Sequence, residues 1–180
     1  LMLFGEHAVV YGYPCIASAV NQRLYVTVKS NPQNDFILTA PDLGIQEYRK
    51  NWSEVGHGEI PKAVSFIEKA LQFFLEQYPQ REEIFVETHS DFSASFGFGS
   101  SSASAVAFLH ALSTFYNVTL SQDELFDLAY KTVLAVQGVG SGFDVAAAVY
   151  GKTFYYVAPK FGQPSSKIIK PILVPVMPFL

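Results

Sequence analysis

The run Phe96-Gly97-Phe98-Gly99-Ser100-Ser101-Ser102-Ala103 constrains this chain more than any other stretch. It is followed by Ala105-Val106-Ala107-Phe108-Leu109-His110-Ala111-Leu112, apolar and free of Gly and Pro, which reads as a buried helix. It is preceded by Ile84-Phe85-Val86-Glu87-Thr88-His89, a β-rich run. The order is therefore strand, Gly/Ser loop, helix N-terminus. That end of a helix carries unpaired N–H groups and a partial positive charge, and so suits an anion, phosphate above all. Gly97 and Gly99 allow close backbone approach, and Ser100, Ser101 and Ser102 offer hydroxyls that can cap the helix, hold phosphate oxygens or hold a metal. Taken alone, the loop serves a helix cap as well as it serves a phosphate. It is neither a Walker A motif nor the dinucleotide fingerprint.

Composition narrows the classes around that loop. The 180 residues are 49% hydrophobic, enough for one packed domain and the start of another. A formal net charge of -4 gives no electrostatic footprint for nucleic acid or an anionic membrane. The single cysteine, Cys15, excludes an internal disulfide and fits a reducing, cytoplasmic setting. No apolar run is long enough to span a bilayer and no signal peptide is recognisable. Leu1-Met2-Leu3-Phe4 and the closing run from Ile172 to Leu180 are both apolar, which predicts a fragment of a longer protein. The expected division is 1–165 as one domain and 166–180 as a linking strand or the start of a second.

Along the chain, strands are expected at Leu1–Phe4, Leu24–Lys29, Phe36–Thr39, Ile45–Tyr48, Ile84–His89, Thr153–Val157 and from Ile168 onward, with antiparallel hairpins joining the close pairs. Ala8–Pro14 reads as a turn-containing connection, with Cys15 as a buried small hydrophobe. Asn51–Glu59 is a loop whose Trp52 packs. Pro61–Tyr78 has a helical stripe of Val64, Ile67, Leu71, Phe74, Leu75 and Tyr78. Ser121 and Glu124 form a capping box ahead of a second amphipathic helix. That helix ends at Gly138-Val139-Gly140-Ser141-Gly142, a second glycine loop, before the short apolar helix Phe143–Tyr150.

Asp144 stands out within that short helix. A carboxylate near a helix start is stabilising for local reasons, but Phe143, Val145, Ala146 and Ala147 imply burial, and a buried carboxylate needs partners. Asp144 is thus a candidate base, or a carboxylate that orients a hydroxyl beside a transferred phosphoryl group. Glu6 and His7 follow the first strand directly; taken alone they read as a surface turn. His57, His89 and His110 lack metal-ligand spacing.

Three segments together carry a family resemblance. Leu3-Phe4-Gly5-Glu6-His7-Ala8-Val9-Val10-Tyr11-Gly12 resembles the first motif of mevalonate kinases. Gly97 to Ala103 resembles the phosphate loop of the GHMP kinases, the superfamily of galactokinase, homoserine kinase, mevalonate kinase and phosphomevalonate kinase. Gly140 to Ala148 resembles the segment bearing that superfamily's catalytic aspartate. The resemblance implies an α+β fold, the GHMP kinase N-terminal domain, with a mixed sheet, helices and a left-handed βαβ crossover that departs from the usual hand. It implies ATP and Mg²⁺ as cofactors: Gly97, Phe98, Gly99, Ser100, Ser101 and Ser102 around the ATP phosphates, Ser101 on the metal, Asp144 catalytic, and Glu6, His7, Gly142 and Asp144 towards the substrate. It implies mevalonate or a related alcohol as partner, and a homodimer is the candidate assembly.

Departures from the pattern are specific. The lysine that mevalonate kinases carry just before the strand matching Leu1–Phe4 falls ahead of this sequence. Ser93-Ala94-Ser95-Phe96 stands where a proline is usual, Ser102 replaces a common alanine, and no glutamate lies around Val133 to Gln137, leaving Gln137 or water for that metal position. Ser141 to Ala147 looks closer to phosphomevalonate kinases, whereas the first motif points to mevalonate kinases. The expected function is mevalonate phosphorylation; the alternatives are phosphomevalonate kinase or another GHMP kinase, and a non-catalytic nucleotide-binding protein. An RNA-binding domain of related half-fold is disfavoured by the acidic balance.

Overall fold

A computed structural model describes residues 1–80, 82–92, 99–160 and 166–173. Gly97 and Phe98 lie outside the described residues, as do Ser93 to Phe96 and the closing residues 174–180. Two four-stranded sheets and four helices make up the described fold. Strands β1 (Met2–Phe4), β2 (Cys15–Ser18), β7 (Thr153–Val157) and β8 (Ile168–Pro171) form an antiparallel sheet in the order β1-β2-β7-β8. Strands β3 (Leu24–Ser30), β4 (Asp35–Ala40), β5 (Ile45–Asn51) and β6 (Ile84–Ser90) form a mixed sheet in the order β3-β6-β4-β5.

In the mixed sheet β3 runs antiparallel to β6, and β4 pairs parallel with β6 through Ile37 opposite Phe85. A parallel neighbour demands a crossover. Here it contains β5 and helix α1 (Ser65–Gln77). The expected hairpin of β4 and β5 forms. Phe36, Ile37 and Leu38 are buried in succession, as a strand covered on both faces requires.

Helix α2 (Ser100–Phe115) is the central helix, packed against α1, α3 (Gln122–Gln137), α4 (Phe143–Tyr150) and β3. Its Ala105, Val106, Phe108, Leu109 and Leu112 are buried. The capping box of α3 is present in both directions, Ser121 accepting from the Glu124 N–H and Glu124 from the Ser121 N–H. Trp52 packs against the core as expected.

Three segments differ from the sequence reading; the loop expected over Asn51–Glu59 begins with the last residue of β5 and the short 3-10 helix Trp52–Glu54. The connection expected between Ala8 and Pro14 holds a short 3-10 helix, Ala8–Tyr11, closed by Gly12, and the strand β2 begins right after Pro14 at Cys15. β2 is only four residues long, and its partner Tyr156 is remote in sequence, so local pattern does not mark it. Helix α1 starts at Ser65 rather than Pro61, because the Val64 N–H closes a turn back to the Pro61 carbonyl before the helix begins. It ends at Gln77, and Pro79 keeps the capping Tyr78 out of the helical region.

Candidate functional site

The site is built on the starts of α2 and α4. Gly99 caps α2 with φ 73°, a left-handed conformation that favours glycine, and a Cβ there would lie 3.2 Å from the Asp144 Cβ, so a side chain at position 99 would crowd Asp144. Ser100, Ser101 and Ser102 form the first turn, whose N–H groups have no partner within the helix. Among the described residues no side chain caps this end, and no acidic residue lies in that turn. Among the described residues, the positive end of the central helix therefore has no side-chain cap of its own, the arrangement that suits an anion.

The three serines diverge. Ser102 is fully buried and its Oγ donates to Asp144 Oδ2 at 2.6 Å, joining two segments 42 residues apart. Ser101 faces away from Asp144. It lines a separate groove with Gly58, Lys62, Lys69 and Gln137. Ser100 and Ser101 also sit at the mouth of an apolar cavity described below.

Asp144 is the second residue of α4, and its Oδ1 accepts the Val145 N–H at 3.0 Å. Its neighbours Val145 and Ala146 are buried, but Asp144 and Phe143 are only half-buried, contrary to the burial expected from the apolar run. The helix turns that face to a cavity of about 530 Å³, lined also by Glu6, Val9, Gln22, Gly99 and Ser141. Glu6 therefore shares a cavity with Asp144. His7, one residue on, is exposed and does not line it. Gly142 caps α4 and is buried.

A second cavity, of about 240 Å³, escaped the sequence reading. Its walls are Leu38 of β4, Phe66 and Ile67 of α1, and Thr88 of β6, and it ends at Ser100 and Ser104 of α2. On its rim His89 Nδ1 lies 3.3 Å from Asp42 Oδ2. These walls are core-type residues from four elements, so no local pattern could announce the cavity. Beside it, Glu68 is fully buried and accepts from Tyr48 Oη at 2.6 Å, Lys50 Nζ at 2.7 Å and the Gly56 N–H at 2.8 Å. Three donors satisfy the carboxylate and pin the turn at Gly56 onto α1. Burial, then the bond and the charge of Glu68, push the Tyr48 phenol up, so it stays a donor.

Residues 65–152, from the start of α1 to just past α4, match the family model for the GHMP kinases N terminal domain. Mevalonate kinase of Pyrococcus horikoshii is 34% identical over 180 residues, covering 97% of this chain and 53% of its own length. That of Saccharolobus solfataricus is 32% identical over 160 residues, covering 88% of this chain and 49% of its own. The crystal structure of Methanococcus jannaschii mevalonate kinase superposes with a TM-score of 0.82 at 26% identity, over 97% of this chain and 53% of that one. Residues 65–152 carry the GHMP kinases N terminal domain, and the chain shares its fold with the mevalonate kinase structure. It spans about half the length of the curated relatives it matches.

Within this GHMP domain the matched segment contains Gly99, Ser100 to Ser102, Gly142 and Asp144, while Glu6 and His7 precede it. The fold brings Ser102, Gly99, Gly142, Glu6 and Asp144 around one region and leaves His7 outside the cavity. Among the described residues no three His, Cys, Asp or Glu side chains gather to hold a metal, and no helix is long and apolar enough to cross a membrane.

Proposed function

We propose that this chain is the nucleotide-binding half of a mevalonate kinase, which transfers the γ-phosphate of ATP to the 5-hydroxyl of mevalonate. The observation that carries the reading is the Ser102–Asp144 hydrogen bond, which ties an open helix N-terminus to a carboxylate able to receive a hydroxyl proton. The relatives named above support the choice of substrate.

In this reading the first-turn N–H groups of Ser100 to Ser102 hold phosphate oxygens, together with Gly97 and Phe98. The apolar cavity of Leu38, Phe66 and Ile67 opens at the same serines and takes the nucleoside. ATP bound with Mg²⁺ supplies the phosphoryl group, and the metal offsets the charge of the phosphates. Ser101 is the protein ligand assigned to the metal. One hydroxyl suits an ion held mainly by phosphates and water, and no all-protein cage is present among the described residues to argue otherwise. Asp144 accepts the proton of the substrate hydroxyl as the hydroxyl oxygen bonds to the γ-phosphorus and the bond from that phosphorus to the β-phosphate oxygen breaks, releasing ADP. Ser102 occupies one lone pair of Oδ2 and the Val145 N–H one of Oδ1, so the carboxylate is fixed and keeps acceptor capacity. Glu6, His7 and Gly142 lie on the substrate side, Glu6 within the shared cavity. A cytoplasmic homodimer acting on a small alcohol completes the proposal.

No Lys or Arg is among the described residues lining the Asp144 cavity, which favours an unphosphorylated acceptor over phosphomevalonate. A coupled assay of ADP release by the full-length protein, with mevalonate and 5-phosphomevalonate in parallel, tests the reading. Turnover with mevalonate is expected; turnover only with 5-phosphomevalonate would give the acceptor to the alternative, and silence with both would remove the kinase reading for either substrate.

A further inference from the structure

The loop that delivers Asp144 is gripped by two phenols from two different elements. Tyr130 of α3 donates to the Gly140 carbonyl at 2.8 Å, and Tyr156 of β7 donates to the Ser141 carbonyl at 2.7 Å. The next residue, Gly142, is packed against both: a Cβ there would lie 2.8 Å from Tyr130 Cδ2 and 3.0 Å from Tyr156 Oη. Gly142 has φ 78° and caps α4, two residues before Asp144. Three consecutive residues of the loop are therefore fixed by the same pair of side chains, and the helix start that aims the carboxylate follows directly.

The two anchors are rigid. Tyr156 is fully buried and sits opposite Cys15 in the sheet. The Tyr130 ring stacks on buried Phe126 with centroids 5.6 Å apart. Burial, then the charge of Asp144, pushes the Tyr130 phenol up; burial, then Tyr130 and Asp144, pushes Tyr156 up. Both hydroxyls thus remain protonated and able to donate. Neither tyrosine lines the cavity that Asp144 shares with Glu6. A phenylalanine would fill the same apolar space, so what the hydroxyls add is the hold on two successive carbonyls.

We propose that Tyr130 and Tyr156 are positioning residues for Asp144, setting the course of the Gly140–Gly142 loop so that the carboxylate stands at a fixed place beside the first turn of α2. This rests on the reading of Asp144 as the group that acts on the substrate hydroxyl. The consequence is a split in the kinetics. The proposed reading places ATP at α2, to which neither clamp hydroxyl bonds, whereas the chemical step depends on where Asp144 stands.

The test uses the full-length protein with ATP and mevalonate, comparing Tyr130→Phe, Tyr156→Phe, their double variant and Asp144→Asn. Each single phenylalanine variant is expected to lower kcat about tenfold, and the double by more, with KM for ATP within about twofold. Combined with Asp144→Asn, the phenylalanine changes are expected to add nothing to the loss. A folded Tyr130→Phe or Tyr156→Phe with wild-type kcat, beside an inactive Asp144→Asn, would overturn the clamp alone. A lowered melting temperature with unchanged kcat would do the same, since it assigns the hydroxyls to stability. Wild-type turnover by Asp144→Asn would remove the reading of Asp144 and the clamp with it. If Tyr156→Phe fails to fold, the half-buried Tyr130 carries the same test through Tyr130→Phe.

Discussion

Helices α2 and α3 are both 16 residues long, and their N-termini are finished in opposite ways. At α3, Ser121 caps the helix reciprocally with Glu124, and Asp123 adds a second carboxylate to the first turn. The positive end is neutralised and its donors are used within the chain. At α2, Gly99 caps without a side chain and the first turn holds three serines and no acid. One serine is committed, but to Asp144 rather than to its own helix. The difference teaches that α3 is finished for stability, whereas α2, capped by Gly99, forgoes roughly a few tenths of a kcal/mol and leaves its first-turn donors without a side-chain cap among the described residues.

The most drastic way to break the contrast is to give α2 the finish of α3. Ser100→Glu places a carboxylate where phosphates are proposed to lie. It is expected to raise KM for ATP at least about a hundredfold through like-charge repulsion, while the melting temperature holds or rises, as a carboxylate in a first turn stabilises. Steady-state kinetics alongside a thermal melt reads both effects; an unchanged KM would detach the phosphates from this end.

Ser102→Ala removes the link between the two helix starts and leaves the Val145 N–H as the hydrogen-bond donor to Asp144 among the described residues. An expected fall in kcat of about tenfold, corresponding to a lost charge-assisted hydrogen bond of about 1.4 kcal/mol, separates this serine from a passive replacement for alanine. Equal rates in the two proteins would show the bond to be idle in the reaction.

The complementary change at α3 should touch stability alone. Ser121→Ala is expected to destabilise by about 1 kcal/mol, the usual worth of an N-cap, with no change in KM for ATP. Chemical denaturation measures it, and a shift in ATP affinity would mean that the two ends are coupled.

The smallest effect lies in pH. Hydrogen bonds from Tyr150 and Lys167 hold the Asp123 carboxyl below its usual range, and the Ser121 side chain and N–H do the same for Glu124. Groups whose native pKa is lowered bind protons more weakly when folded, so their contribution is present above about pH 4 and fades as pH falls through the native values. Both are largely exposed and screened, so a modest acid-side loss of stability is expected, removed in the Asp123→Asn/Glu124→Gln variant. A wild-type profile unchanged by those substitutions would deny the groups any such role.

The same two helices show what was legible in the chain. Everything that closes α3 is local, a serine and a glutamate three residues apart, and the sequence discloses it directly. The start of α2 is also local, since Gly-x-Gly followed by serines before an apolar run marks a helix N-terminus, although taken alone it reads as a cap as readily as a phosphate site. Asp144 could be singled out as a polar residue in an apolar helix, but its degree of burial could not, because the cavity beside it is made by Glu6, Val9 and Gly99 from other elements. The pairing of Ser102 with Asp144, the strand β2, the cavity of about 240 Å³ and the tyrosine clamp all join residues far apart in sequence. Tyr156 in particular reads as an ordinary strand residue until its hydroxyl is seen to reach Ser141.

The central claim is that one helix start binds the phosphates and a carboxylate tied to it does the chemistry. The most direct measurement is ATP affinity and mevalonate-dependent turnover of the full-length protein and its Asp144→Asn variant, made in parallel. The account expects ATP affinity within about threefold and turnover lower by about a thousandfold or more, as for removal of a group acting only in the reaction. Undiminished turnover by Asp144→Asn, or a wild-type protein that does not bind ATP, would contradict it.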